Sequence, residues 1–208
     1  MLRPEADTVR WYEENVRRFG YGWRSLGFGQ KASQRKRFEA VLGHAPLHGR
    51  SVLDAGCGFG DLLPFLLERG VRPRYSGIDI CPPMIERCQR RFPASARRFA
   101  ISDVLDYRPK QRYDHVVASG LFGLNVPGAA ERVRPTLELL FDWCRVGLVV
   151  NFLSKRSERP ARARLYLDPG EMLRAALRLT PAVRLDHSYL PNDFTLHLYR
   201  SPAWEASK

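Results

Sequence analysis

The heptapeptide Asp54-Ala55-Gly56-Cys57-Gly58-Phe59-Gly60 restricts the fold more than any other part of this chain. It lies between an apolar run, Ser51-Val52-Leu53-Asp54-Ala55, that reads as a strand and a segment, Gly60 to Arg69, that reads as a helix. In that helix Leu62, Leu63, Leu66 and Leu67 share one face, and Gly70 is a usual C-terminal stop. Glycines at a strand-to-helix turn let the backbone bend tightly and admit a ligand where a Cβ would stand in the way. Two common users of such loops fit poorly. A dinucleotide fingerprint needs a third glycine at 61, where Asp61 would set a carboxylate against a pyrophosphate. A Walker loop needs a lysine, and none occurs between Lys36 and Lys110.

From residue 50 onward short apolar runs alternate with amphipathic segments, the pattern of an α/β fold with a parallel sheet covered on both faces. Strands are expected at 75–79, 98–101, 113–119 and 146–152, with helices at 83–92 and 131–142. Pro82 and Pro83 suit a first helical turn, which has no use for their missing N–H. Strands at 183–189 and 194–199 are joined by Leu190-Pro191-Asn192-Asp193, too short for a parallel crossover, so they form an antiparallel hairpin. Before the sheet, residues 1–48 read as a helical cap. Val9, Tyr12, Val16 and Phe19 share a helical face, an aromatic and glycine segment follows at 19–23, and a basic helix covers about 32–42. Residues 49–200 form the main domain and 201–208 a tail. With 208 residues the chain can bury one substantial core but not two.

The 34 Lys and Arg against 22 Asp and Glu give a formal charge of +12, which suits an anionic partner or reflects an arginine-rich bias. No nucleic-acid recognition motif accompanies it. Cys57, Cys81, Cys88 and Cys144 form no C-x-x-C pair and have no histidine at zinc spacing, so reduced thiols and no metal are expected. The polar start and the lack of any apolar run of roughly 20 residues make a cytoplasmic protein, without a membrane partner, the expectation.

Acidic residues after successive strands define what the loop holds. Asp54 suits an ammonium group, and Asp79, at the end of the second strand, can accept from both hydroxyls of a ribose. Ile80 and Met84 offer apolar surface to a flat base, and Asp103 can accept from an exocyclic amine. The order Val52-Leu53-Asp54-Ala55-Gly56-Cys57-Gly58-Phe59-Gly60, Gly77-Ile78-Asp79-Ile80, Asp103, then Tyr113 to Ser119, closely resembles the Rossmann-like (class I) S-adenosylmethionine-dependent methyltransferases. The resemblance spans about residues 50 to 200. It implies a seven-stranded sheet of order 3-2-1-4-5-7-6 with strand 7 antiparallel, S-adenosyl-L-methionine as cofactor and S-adenosyl-L-homocysteine as product. By it, Asp54, Gly56 and Gly58 line the methionine portion with Cys57 between them, Asp79 takes the ribose, and Asp103 and Val104 flank adenine. Ser119-Gly120-Leu121-Phe122 then passes the sulfonium and the acceptor. That stretch departs from the Asn/Asp-Pro-Pro-Tyr/Phe motif of amino-directed nucleic-acid methyltransferases. Cys57 is read as a small packing residue, since no histidine follows nearby, and Ser119 lies in no G-x-S-x-G elbow.

A methyl sulfonium is already an activated electrophile, so alignment and exclusion of water dominate, a general base is optional and no catalytic residue is named. Candidates on the acceptor side are Asn151, Tyr166, His187, Tyr189 and Phe122, with Tyr12, Tyr21 and Trp23 in the cap. The basic segment 154–164 suits a carboxylate or phosphate, or is simply a solvated loop. A small-molecule acceptor methylated on N, O or S is favoured. A tRNA or rRNA acceptor and a non-catalytic cofactor-binding protein are the alternatives, and the oligomeric state stays open.

Overall fold

The computed structural model describes residues 4–201; the expectations for the first three residues and for the tail after Ser201 lie outside them. In chain order the elements are α1 (Pro4–Phe19), α2 (Lys31–Leu42), β1 (Ser51–Ala55), α3 (Leu62–Glu68), β2 (Arg74–Asp79) and α4 (Pro82–Arg91). A 3-10 turn, Pro93–Arg98, leads into β3 (Phe99–Ile101), β4 (Tyr113–Ala118), α5 (Ala129–Asp142) and β5 (Cys144–Ser154). The chain closes with β6 (Tyr166–Leu167), α6 (Pro169–Leu177), β7 (Val183–Leu190) and β8 (Asp193–Tyr199).

The strands run in the order β3-β2-β1-β4-β5-β8-β7, and β8 is antiparallel to both its neighbours. This is the anticipated 3-2-1-4-5-7-6 arrangement. The numbering moves by one because β6, a two-residue strand with no periodic signal, pairs with β5 beyond the point where β4 ends. Helix α6 was likewise not anticipated. Its signal was present in Asp168-Pro169: the Asp168 side chain accepts from the Glu171 amide at 3.0 Å, and Pro169 occupies the first turn. Helix α3 starts at Leu62, not Gly60, because Gly60 has φ +69°, outside helical space.

Alternation along the central strands sorts their side chains onto two faces. Leu53, Ala55, Val116, Ala118, Leu148 and Val150 point to one core, filled by Val133, Leu137 and Leu140 of α5 and Met172 and Ala176 of α6. Val52, Val117 and Val149 point to the other, filled by Phe38 and Val41 of α2, Leu62, Phe65 and Leu66 of α3, and Ile85 and Cys88 of α4. Helix α2 is therefore part of a helical layer on the sheet. Helix α1 meets the molecule through Tyr12 and Val16, which together with Leu26 cover Phe59, Cys81 and Met84. Phe19, expected on that same face, is exposed and lies beneath the Arg18 guanidinium instead. The glycine-rich segment after α1 is closed by the buried Ser25, whose hydroxyl donates to the carbonyls of Gly20 and Gly22 at 2.7 Å.

The β5–β8 ladder joins the parallel half of the sheet to the hairpin, and Gly147 stands where it is tightest. A Cβ there would lie 2.8 Å from the Leu198 carbonyl oxygen, so the backbone itself must shift. Gly147→Ala is expected to lower stability by about 1–3 kcal/mol, read as a fall in the urea midpoint without a change in slope.

Candidate functional site

The site lies beyond the carboxyl ends of β1 to β4, where the chain reverses direction across the sheet. Asp79, at the end of β2, ties its parts together. One carboxylate oxygen accepts from the Gly58 amide at 2.8 Å and the other from the Cys81 amide at 2.9 Å, so one buried side chain holds both the glycine loop and the entry to α4. The amides of Gly56 and Cys57 donate to the Ile78 carbonyl at 2.8 and 3.0 Å, which pins the loop to β2 again. Gly56 and Gly58 have φ of +76° and +54°, which L side chains adopt only with strain. Burial raises the Asp79 carboxyl above its ordinary range, and its backbone hydrogen bonds oppose that rise.

Asp54, in β1, is also buried. Tyr75 donates to one of its oxygens, while the other has no hydrogen-bond partner. Burial pushes its carboxyl up to about 7 and the Tyr75 hydrogen bond pulls the other way. Asp61 is held by Arg91 at 2.6 Å and by Gln34 at 3.3 Å.

Two cavities meet over this loop. The smaller, about 130 Å³, is bordered by Ile80, Ser102, Asp103, Val104, Leu121 and Phe122, with Arg132 at its wall. Asp103 turns its carboxylate on Arg132 in a two-oxygen contact at 2.8 and 2.9 Å and accepts from the Leu105 amide at 2.7 Å, so it caps a turn and faces the recess at once. The larger, about 760 Å³, is bordered by Asp54, Cys57, Gly58, Met84, Ser119 and Tyr166, and by Arg37 and Arg164. Tyr12, Gly56, Asp79 and Gly120 border both.

The other candidates stand elsewhere. Asn151 is buried behind the loop that follows β4, where it accepts from the Gly120 amide at 2.9 Å and donates to the Ser119 hydroxyl at 3.2 Å. Tyr21 is exposed, edge-on to Phe59, and Trp23 carries the Arg24 guanidinium; neither borders the recess or the chamber. Tyr189 donates to Asp193 and meets the Thr195 hydroxyl at 2.8 Å, and His187 packs edge-on to Phe194. Cys57 is buried beside Cys88, and the neighbouring thiol and burial push it well above the ordinary thiol range, consistent with a packing residue. Arg37, Arg132 and Phe28, which also borders the larger cavity, were not foreseen. Arg164 lay inside the basic 154–164 segment, but nothing in its neighbours distinguished it from the other arginines there.

Fold and site together define a Rossmann-like protein in which a small recess and a larger chamber share one glycine loop. Residues 52–140 match the model of a methyltransferase domain family. A Mycobacterium tuberculosis protein named as a methyltransferase is 30% identical over 153 residues, covering 70% of this chain and 90% of that one. The malonyl-[acyl-carrier protein] O-methyltransferase of Acetivibrio thermocellus is 37% identical over 92 residues, 43% of this chain but only 32% of that protein. Among solved structures, the magnesium protoporphyrin IX methyltransferase of Synechocystis with bound S-adenosylmethionine superposes with a TM-score of 0.72 at 18% identity, over 97% of this chain and 99% of that one. The chain belongs to the Rossmann-like S-adenosylmethionine-dependent methyltransferases.

The raised Asp54 carboxyl predicts a pH dependence of stability. A folded-state value near 7 against an ordinary 3.8 means that the ionised form is disfavoured by folding, so stability is lost as pH rises from about 4 through 7 and is constant above. Asp54→Asn should therefore stabilise the ligand-free protein at pH 8, by on the order of 2–4 kcal/mol, with the gain vanishing below pH 4. Thermal midpoints of both proteins across that range provide the check.

Proposed function

We propose that this methyltransferase passes a methyl group from S-adenosylmethionine to an N, O or S atom of a small-molecule acceptor held in the larger chamber. The observation that carries the reading is a concave chamber lined by four separate parts of the chain. Tyr12 of α1, the 26–34 segment, the 159–166 segment and the 190–192 turn wall a space that opens onto Gly120, the residue shared with the recess. An RNA acceptor would need an open basic groove, and the 119–122 loop has no base-holding Pro-Pro dipeptide.

Three features fit the donor. The partnerless, buried oxygen of Asp54 is an acceptor waiting for a donor, and an amino-acid ammonium would supply one. Glycine at 56, 58 and 120, each at positive φ, lets the backbone turn under the ligand without the strain a side chain would bring. Asp79 keeps lone pairs for ribose hydroxyls after holding the two amides, and Ile80 and Val104 form apolar edges for adenine, with Asp103 at its amine. When bound, S-adenosylmethionine supplies an electrophilic methyl group. The chain's own task is to orient it and exclude water, and Asn151 contributes by fixing the 119–120 backbone. We also place the protein in a reducing compartment such as the cytoplasm, since all four cysteines are free. Among the described residues no helix is long and apolar enough to cross a membrane. One relative supports a small acidic acceptor by name, the trans-aconitate 2-methyltransferase of Rhizobium etli, 31% identical over 100 residues and 38% of that protein; the malonyl-[acyl-carrier protein] O-methyltransferase names an acidic group carried on a protein.

Calorimetry with S-adenosylmethionine tests the donor half. Below pH 7 binding should release a proton, because the free protein holds one on Asp54 and an ammonium expels it, so affinity falls as the pH drops. Asp54→Asn should abolish the proton release and weaken binding roughly 10–150-fold, although the free variant is the more stable protein. No heat of binding would count against the reading, and salt-sensitive incorporation of labelled methyl into total RNA would overturn the small-molecule acceptor.

A further inference from the structure

Two guanidinium groups stand over the turn that follows β4. Arg37, from α2, is only 9% exposed. One of its terminal nitrogens pairs with the wholly buried Asp193, and its Nε is buried with no partner. Its other terminal nitrogen, Nη1, is aimed at the turn: a Cβ built on Gly120 would lie 3.5 Å from it. Arg164 comes from the segment that precedes β6. Its Nη2 donates to the Gly27 carbonyl at 2.7 Å, its guanidinium lies 4.9 Å over the Trp11 ring, and its Nη1 would be 3.8 Å from a Cβ on Gly123. The two cations therefore flank the residues 120–123 that separate recess from chamber.

Their charges are not balanced alike. Asp193 offsets Arg37, but no carboxylate among the described residues pairs with Arg164. Burial lowers the Arg164 pKa, with the like charge of Arg37 adding to the fall and Tyr12 opposing it. A desolvated guanidinium without an anion is costly, and a ligand that brings one removes the cost. The remaining carboxylates of the chamber belong to its donor end: Asp54 and Asp79 lie under the glycine loop, and Asp61 is already paired with Arg91. Arg37 and Arg164 thus reach residues 120–123, while Asp54 and Asp79 are engaged by Tyr75 and by the Gly58 and Cys81 amides.

The chamber lining also lacks histidine, lysine and glutamate among the described residues. Tyr12, which borders it, is pushed up to about 12 by burial. The lining groups able to take a proton near neutral pH are Asp54 and Asp79, which are engaged by Tyr75 and by the Gly58 and Cys81 amides, although a hydroxyl, a thiol or a protonated amine must lose a proton to be methylated. One acceptor class combines an anion with a ready lone pair.

Building on the donor reading above, we infer that the acceptor is a carboxylic acid, methylated on a carboxylate oxygen, with Arg37 and Arg164 holding the anion over the 120–123 turn. The carboxylate oxygen gives an electron pair to the methyl carbon, and the carbon–sulfur pair returns to sulfur. The negative carboxylate becomes a neutral methyl ester, the sulfonium becomes a neutral thioether, and no proton moves. Arg37 and Arg164 orient the acid and restrict entry to anions, and neither takes part in bond exchange.

The test uses the full chain, tritiated-methyl S-adenosylmethionine and a panel of acids comprising benzoate, succinate, adipate and citrate, with a phenol, an amine and a thiol as controls. Label should pass to at least one acid and be released as volatile methanol by mild alkali, which leaves N-, S- and ether O-methyl groups intact. Arg164→Gln should raise the acid's KM about thirtyfold or more at unchanged S-adenosylmethionine affinity, with partial recovery in Arg164→Lys. Calorimetry of the same acid with cofactor-free protein should show the same loss of affinity. Transfer of alkali-stable label to the controls alone, or failure of every acid to bind or accept while S-adenosylmethionine binds, overturns the carboxylate assignment and leaves the methyltransferase reading standing. Absence of S-adenosylmethionine binding overturns both.

Discussion

Asp79 is the point on which the site depends. Its carboxylate accepts from Gly58 at one oxygen and from Cys81 at the other, and these amides belong to separate connections, β1 to α3 and β2 to α4. A single buried carboxylate thus sets the distance between two loops at the carboxyl ends of neighbouring strands. Hydrogen bonds to an ionised acceptor are the strong ones, and here they also offset part of the cost of burying the charge. The loop it holds is shaped so that little else fits: glycine at 56, 58 and 60 takes positive φ, and a Cβ at Gly60 would meet Phe92 at 3.0 Å.

Around that anchor, charged groups of both signs line the chamber. Carboxylates gather at the carboxyl ends of β1 to β3, while the guanidinium groups of Arg37 and Arg164 come from α2 and from the segment before β6. The glycine loop and the 119–123 turn lie between them. Asn151, reaching from β5, fixes that turn by bonding both Gly120 and Ser119. The hairpin contributes from further away, since Asp193 at the start of β8 pairs with Arg37 and so ties α2 to the sheet beside the chamber.

Much of this was legible in the linear order of residues. The alternation of apolar runs with helical faces, the glycine loop, and an acidic residue after each of the first three strands are local patterns, and local patterns survive in one dimension. The hairpin at 183–199 was legible because its connection is too short for any alternative. Strand β6 was not legible, for its two residues gain their pairing only from the overhang of β5 beyond β4. Tyr21 and Trp23 looked like binding aromatics yet stand outside the cavities, because exposure depends on where α1 ends relative to Phe59.

The sequence by itself determined the carboxylates around the glycine loop: residues within one strand-loop-helix unit, and at the ends of neighbouring parallel strands, are brought together by the periodicity of the fold. Only the tertiary structure decided which guanidinium groups join them at the chamber. Arg37 and Arg164 are 127 positions apart by their residue numbers, on elements with no shared pattern, and among many arginines nothing marked these two. What distinguishes them is desolvation and a common target at residues 120–123, and both are properties of packing in three dimensions.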